Sequence, residues 1–511
     1  MQMELLKKPI RSYRTIEIME TEEMLENSII VPDSKPDIKN IILADAECFV
    51  TSVEKSGRMV EVGGEIKYRI LYCSDTPDQS TESIVTQFTW SFSVPKPKTD
   101  AEIGIFAKSH SQHTEANAIN GRKIVARTVC SLISRFYEIR TDEIGREILG
   151  ENVYLQTTPV NVLSLKDCGD VVAKVSNVLS LPHGSPPMKE ILFSRINVGS
   201  AELSYSEDDP CLEAKGTAYI LYRSDTIDGS IESVVLEFPV KTVTGIQSVP
   251  SEIVFATSVL KSWELDALED ADGLLTQVSV NLELQVEAQA LVPEEQVIIE
   301  DAYSIDYKLE LKKTPINIVT DEREICDSLE INQKIKIDDP EDQLAEVLMV
   351  CANERNIASK INENSVAAQG TMGVDIVFMT SSRQVKSYFM EQPFSQMFNL
   401  PDEGQWQVVQ SCFYIDDVSF DISGNDTIEL SIKLNIKLRM SRFEEIVCTE
   451  DLTSIKEESR KKAPIILYFT HPGDTMWSIA KHYRIPLSRL ALDNGLDVSE
   501  NPQVGQKLFI M

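Results

Sequence analysis

The sequence predicts a mainly β protein: three tandem β-rich units, each sandwich- or barrel-like, followed by a small strand–helix–helix–strand (βααβ) module. Three observations carry that reading. First, the 16 residues from Ile70 to Val85 return from Ile220 to Val235 with 11 identical positions, and a blurred copy begins at Ile376-Val377-Phe378. Self-similarity at a long period means one folding unit used repeatedly. Second, Ile428, Leu430, Ile432, Leu434, Ile436 and Leu438 alternate with polar residues. Period two over that length is a half-buried antiparallel strand. Third, the pattern changes at about residue 464.

The elements of each unit follow in a fixed order. An extended segment passes through a proline: Lys8-Pro9-Ile10, Thr158-Pro159-Val160, Thr314-Pro315-Ile316. Proline lacks a ladder donor, so these segments belong at a sheet edge or a strand start. A proline box follows at Val31-Pro32-Asp33, Leu181-Pro182-His183 and, more loosely, Asp339-Pro340-Glu341. The apolar residues after it fall at i, i+3, i+4, which predicts one or two helical turns capped by an aspartate. Next comes the Ile-Leu-Tyr strand. The last strand is entered by Asn120-Gly121, Asp272-Gly273 or Gly424-Asn425, residues suited to tight hairpins. Unit two repeats the alternation with Val278, Val280, Leu282, Leu284 and Val286; unit one has Ala126, Thr128 and Cys130 there, which predicts a less well-filled core. The expected boundaries are 1–150, 151–300 and 301–448. Residues 449–463 are polar and charged and predict a flexible tether.

Composition narrows the function classes. The formal net charge is -32, which repels nucleic acid and anionic lipid at long range. No apolar run approaches the ~20 residues of a membrane helix. The N-terminus lacks an apolar core before a small-residue cleavage site, so a cytoplasmic location is expected. Nine scattered cysteines without Cys-x-x-Cys argue for free thiols rather than disulfides or zinc. His110-x-x-His113 has no completing ligand cluster and reads as a polar loop. No nucleophile elbow, phosphate loop or metal-ligand set is present, so no enzymatic activity, metal or cofactor is expected.

In the last module, Ile465 to Phe469 reads as a strand. Thr475 caps a helix that carries Ile479 and Tyr483, Pro486 opens a second helix, Asn494-Gly495 ends it, and Gly505 to Ile510 is the closing strand. Pro472-Gly473-Asp474-Thr475, Ser478-Ile479-Ala480, Asn494-Gly495-Leu496 and Gly505-Gln506-Lys507-Leu508 together resemble the LysM module over 464–511. That resemblance implies binding of N-acetylglucosamine polymers such as peptidoglycan. The implied groove is lined by Gly473, Asp474, Thr475 and Met476 on one side and Asn494, Gly495 and Leu496 on the other. Trp477 reads as core packing before sugar stacking. The module holds four basic residues (Lys481, Arg484, Arg489, Lys507) and four acidic ones (Asp474, Asp493, Asp497, Glu500), so it is neutral on an acidic chain.

The upstream units resemble the SPOCS domain of spore-coat proteins, through the box from Val31 to Ile38 and the strand ending in Tyr72 or Tyr222. Three such units before one LysM module imply a structural adaptor of spore-coat assembly at the forespore surface. The partner implied is the coat morphogenetic ATPase, stage IV sporulation protein A; the competing partner is peptidoglycan itself.

Overall fold

The computed structural model describes residues 3–99, 103–206, 209–247, 252–337, 343–424, 426–456 and 465–511. The first unit holds β1 (Glu4–Ile30), β2 (Ile38–Ser56), β3 (Met59–Ser74), β4 (Thr81–Pro95), β5 (Ile103–Asn120) and β6 (Lys123–Leu149). The second holds β7 (Val153–Ser180), β8 (Met188–Val198), β9 (Glu202–Ser206), β10 (Asp209–Ser224), β11 (Ile231–Val243), β12 (Ile253–Glu269) and β13 (Leu275–Ser304). The third holds β14 (Tyr307–Lys336), β15 (Leu344–Ile361), β16 (Ser365–Thr380), β17 (Val385–Asn399), β18 (Trp406–Ser423) and β19 (Thr427–Lys456). The chain closes with β20 (Ile466–Phe469), α1 (Met476–Tyr483), α2 (Leu487–Asn494) and β21 (Lys507–Ile510).

Every unit is a pair of antiparallel sheets. In the first, β1-β6-β5 faces β2-β3-β4; the second pairs β12-β13-β7 with β11-β10-β8, and the third β14-β19-β18 with β15-β16-β17. Each sandwich encloses its own apolar core, with Ile66, Phe92 and Leu132 in the first, Ile220, Phe238 and Leu284 in the second, and Ile376, Phe394 and Ile436 in the third. In unit one the small Ala126, Thr128 and Cys130 are fully buried, sharing their core with Tyr68, Trp90 and Phe92. The small residues on β6 thus share their core with bulky ones on β3 and β4.

In the first two units the proline box is a turn followed by a strand, not a helix, whereas the turn expected at Asp339-Pro340-Glu341 in the third lies outside the described residues. β2, β8 and β15 start within it. The helix-like spacing arises because β2 is apolar on both faces: Ile38 and Ile41 join the core of the unit, while Ile42 and Leu43 turn outward to the other units. Register shifts at Ile38/Asn40 and Ile41/Leu43 allow the change of face. The aspartates do not cap helices; Asp33 and Asp37 both receive Arg122 at 3.1 Å. The box and the Ile-Leu-Tyr strand are one device. Tyr72 Oη donates to the Pro36 carbonyl at 3.0 Å, and Tyr222 Oη to the Pro186 carbonyl at 3.2 Å. The Asp75 amide donates to the Asp37 carbonyl and the Asp225 amide to the Pro187 carbonyl, each at 2.8 Å.

In the sheets β1-β6-β5, β12-β13-β7 and β14-β19-β18, two strands continue beyond the third as a ribbon: β1 with the end of β6, β7 with the end of β13, and β14 with the end of β19. The three ribbons assemble side by side through Ile10, Ile144, Val162, Ile298, Ile318 and Ile446. The third ribbon alters two expectations. Residues 449–456, expected in the tether, pair with β14, because Leu452 reaches an apolar cluster with Leu309 and Leu311. The remainder of that segment, 457–463, lies outside the described residues. β13 likewise runs on to Ser304, past the expected boundary at 300.

The three units pack around an approximate threefold axis, where corresponding positions of the repeats meet. Leu71, Leu221 and Val377 are completely buried in one shared cluster. Polar residues occupy other axial positions. Arg195 of β8 bonds Asp45 of β2 at 3.1 Å, and Cys351 fills the corresponding place on β15. At another triplet, Arg135, Glu287 and Arg439, the Arg135 guanidinium bonds Glu287, which also accepts Tyr13 Oη at 2.7 Å. Arg439 bonds Glu322 and Gln289.

Asp375 on β16 titrates at this junction. Burial, then repulsion from Asp45, pushes its carboxyl up to about 6, against the opposing pull of Arg195, Arg355 and His113. A raised carboxyl stabilises the fold below the unfolded pKa near 4 and loses that contribution as pH climbs through 6. Asp375→Asn is therefore expected to be more stable than the parent at pH 7.5 by about 2–3 kcal/mol, with the gap closing below pH 4. Urea midpoints of both chains across that range check it.

Candidate LysM recognition site

The C-terminal module is a two-stranded sheet, with β20 antiparallel to β21, closed by α1 and α2. Its core is Met476, Ile479, Ala480, Ile485, Leu490, Ala491, Leu508 and Ile510. α1 begins with a capping box: the Thr475 side chain accepts the Ser478 amide at 3.0 Å, and the Thr475 amide donates to Ser478 Oγ at 2.9 Å. α2 ends at Gly495 (φ +64), whose amide reaches the carbonyls of Ala491 and Leu492. That left-handed cap is why the position is glycine.

The seven residues expected to line the groove have different duties. Met476 is not at the rim: it is 2% exposed in the module core, because the first turn of α1 faces the sheet. A charge placed there would unfold the module. Asp474 locks the loop, with Oδ2 accepting Tyr468 Oη and the His471 amide, both at 2.7 Å. Those bonds, the amide first, hold its carboxyl below the usual range. Asn494 clamps α2 to β21: Nδ2 donates to the carbonyls of Leu490 and Phe509 at 2.8 Å, and Oδ1 accepts the Phe509 amide at 2.6 Å. Thr475 is the helix cap. Gly473, at φ +91, and Gly495 are exposed, and Leu496 is half-buried against the core. Among the seven, the most accessible positions are thus the two glycines.

The module is seated on the second ribbon. Trp477 packs edge-on against Tyr303, ring centres 5.0 Å apart, and Tyr303 stacks on Tyr154. Asp301 accepts Trp477 Nε1 at 2.9 Å and Lys481 Nζ at 2.6 Å, and Tyr303 Oη donates to the Ile485 carbonyl at 2.8 Å. Burial raises the Asp301 carboxyl, but Lys481 and Trp477 outweigh it and the net shift is downward. Trp477 is consequently an interface residue rather than a free stacking platform. This seat was invisible in the sequence because Tyr154, Asp301 and Tyr303 sit in strands whose pattern reports only their own sheet.

The outer face of the small sheet is mainly apolar, with Lys507 over the Phe509 ring at 5.0 Å. Leu467 and Phe509 are cross-strand partners, 45% and 40% exposed, and Phe469 is 54% exposed. Four consecutive apolar residues in β20 conceal the alternation that points Leu467 and Phe469 outward.

Elsewhere, His110 is not in a loop but on β5, and burial pushes its imidazole down to about 4. All nine cysteines are free. Among the described residues no three His, Cys, Asp or Glu side chains cluster to hold a metal, and no helix is long and apolar enough to cross a membrane.

Residues 471–510 match the family model of the LysM domain. No curated protein and no solved structure matches the chain. LysM domains are carbohydrate-binding modules, typically of peptidoglycan, and the matched span contains the capping box, both helices and the closing strand described above. The chain is a mainly β protein that carries a C-terminal LysM domain.

Proposed function

We propose that the chain is a non-enzymatic adaptor of spore-envelope assembly, a rigid three-lobed platform that presents one LysM recognition module. It would act in the mother-cell cytoplasm at the forespore surface, with the coat morphogenetic ATPase, stage IV sporulation protein A, as its partner. The observation that carries this reading is how the module is used. Asp474 and Asn494 spend their side chains on internal bonds, while Leu467, Phe469 and Phe509, beside Lys507, form an exposed, mainly apolar face suited to a protein. The resemblance of the three upstream units to SPOCS domains supports the setting.

The LysM match favours a second reading, binding of N-acetylglucosamine polymers. Exposed Gly473 and Gly495 let backbone approach a sugar ring closely. One comparison separates the two. The full chain, Leu467→Glu and Leu496→Asp are each tested on immobilised ATPase and on insoluble peptidoglycan. The adaptor reading expects capture by the ATPase, weakened about tenfold or more by Leu467→Glu, the loss typical of one interface hot spot. Retention on peptidoglycan that chitin oligomers compete away, lost in Leu496→Asp, would establish the glycan reading instead. A chain lacking 465–511 that still coats the forespore normally would overturn both uses of the module.

A further inference from the structure

Three equivalent strands, β4, β11 and β17, each end a sheet and are paired on one side only among the described residues. Register identifies their matching positions. Pro239 lies opposite Lys215 and Pro393 opposite Thr371, each five residues before the isoleucine of the repeated strand, Ile220 or Ile376. In the first unit the residue opposite Glu65, five before Ile70, is Thr89. Two units thus carry a proline where the first carries a threonine.

That position faces the open edge. The Pro239 carbonyl accepts Asn177 Nδ2 of β7 at 3.3 Å, so the backbone there points away from β10. The N–H and C=O of a strand residue lie on the same side, so proline here removes a donor from the edge and none from the ladder. Charge guards the same two edges, with Glu237 and Lys241 on β11 and Lys386 and Glu391 on β17. Prolines and charges are the means by which native edges avoid pairing with another chain.

β4 has neither. From Ser83 to Val94 it carries no charge, proline or glycine, and its register with β3 is unbroken. Its one acidic residue, Glu82, is already held by Arg223 at 3.2 Å and Lys35 at 3.6 Å. Threonine, valine and aromatic residues dominate the stretch, a composition that favours an extended strand. The first unit therefore presents an edge without the protection that its two sister units retain.

Charge and symmetry select the occupant. Val85, Gln87, Thr89, Ser91 and Ser93 are exposed, and the period of two gives all five the outward backbone direction of Thr89. None is charged, so the edge offers nothing to recognise an ionic segment. On a chain of net charge -32, a neutral strand is where a second copy meets the least repulsion. With Thr89 on a twofold axis, antiparallel pairing sets Gln87 opposite Ser91 and Val85 opposite Ser93 of the other copy. Each pair exchanges both backbone bonds, and every cross-strand side-chain pair is neutral. We propose that β4 is a self-pairing edge through which two copies of this chain join in an isologous dimer, with one sheet continuous across both. The contact lies on the first unit and uses no residue of the LysM module.

The test is sedimentation equilibrium of the full chain over a range of concentration and salt. The parent is expected to be a reversible dimer that tightens as salt rises, because salt screens the repulsion between two acidic chains. Thr89→Pro installs the residue of the sister units and should weaken the dimer about tenfold or more while keeping the parent's circular dichroism and melting temperature. Thr89→Lys serves if the proline variant fails to fold. Hydrogen exchange should show the amides of Gln87, Thr89 and Ser91 protected in the parent dimer and unprotected in the variant. A parent that is monomeric at every concentration overturns the proposal, as does a dimer that survives Thr89→Pro and Thr89→Lys or one that salt dissociates. A monomeric parent that binds the coat ATPase, with binding lost in Thr89→Pro, also overturns self-pairing and gives the edge to that protein.

Discussion

Glu287→Ala is expected to destabilise the chain by about 3–5 kcal/mol, read as a lower urea midpoint. Glu287 is 6% exposed and bonds both Arg135 and Tyr13, which belong to another unit. Removing it leaves a guanidinium that is itself 4% exposed without its counter-ion. The cost is the unpaired charge rather than the worth of the pair, since desolvation offsets much of the Coulombic gain. Arg135→Met/Glu287→Leu should consequently recover most of the loss. If the double variant is as unstable as Glu287→Ala, the pair contributes net attraction and this account of the axis is wrong.

Leu221→Ala comes next, at about 2–5 kcal/mol. Leu221 is 0% exposed beside Leu71 and Val377, where three sandwiches converge and none can move in to close the gap. The residue belongs to the repeated Ile-Leu-Tyr strand, yet it faces away from the core of its own unit, whereas Ile220 and Tyr222 face into it. Leu221→Met conserves volume and is expected to cost less than about 1.5 kcal/mol. A loss for Leu221→Ala below that of an exposed control such as Val235→Ala would mean that the units do not depend on this contact.

The repeat was readable because the same bonds are made in each copy. Ser74 and Ser224 are each bonded to the threonine two residues on and the serine six residues on. Tyr72 and Tyr222 each tie down a proline-box carbonyl. Phe378 has no hydroxyl for that bond, and the third copy is correspondingly blurred. The proline box misled for a physical reason: β2, β8 and β15 bury both faces, and an apolar run without alternation does not declare its period. Met476 misled because loop motifs mark where a helix begins but not which way its first turn faces.

Local chemistry and periodicity were enough to establish three β units, their hairpins and the LysM module with its capping box and glycine stop. Each depends on residues close in sequence, on side-chain alternation or on backbone conformation at single positions. The axis, the ribbons and the seat of the module were not legible in the same way. Arg135, Glu287 and Arg439 share one place in the repeat, and nothing in the chain states that this place faces the other two units. Buried charge and the contact of Asp301 with Trp477 arise from packing across separations of more than a hundred residues. Side-chain periodicity records which face of a strand is covered, but not what covers it.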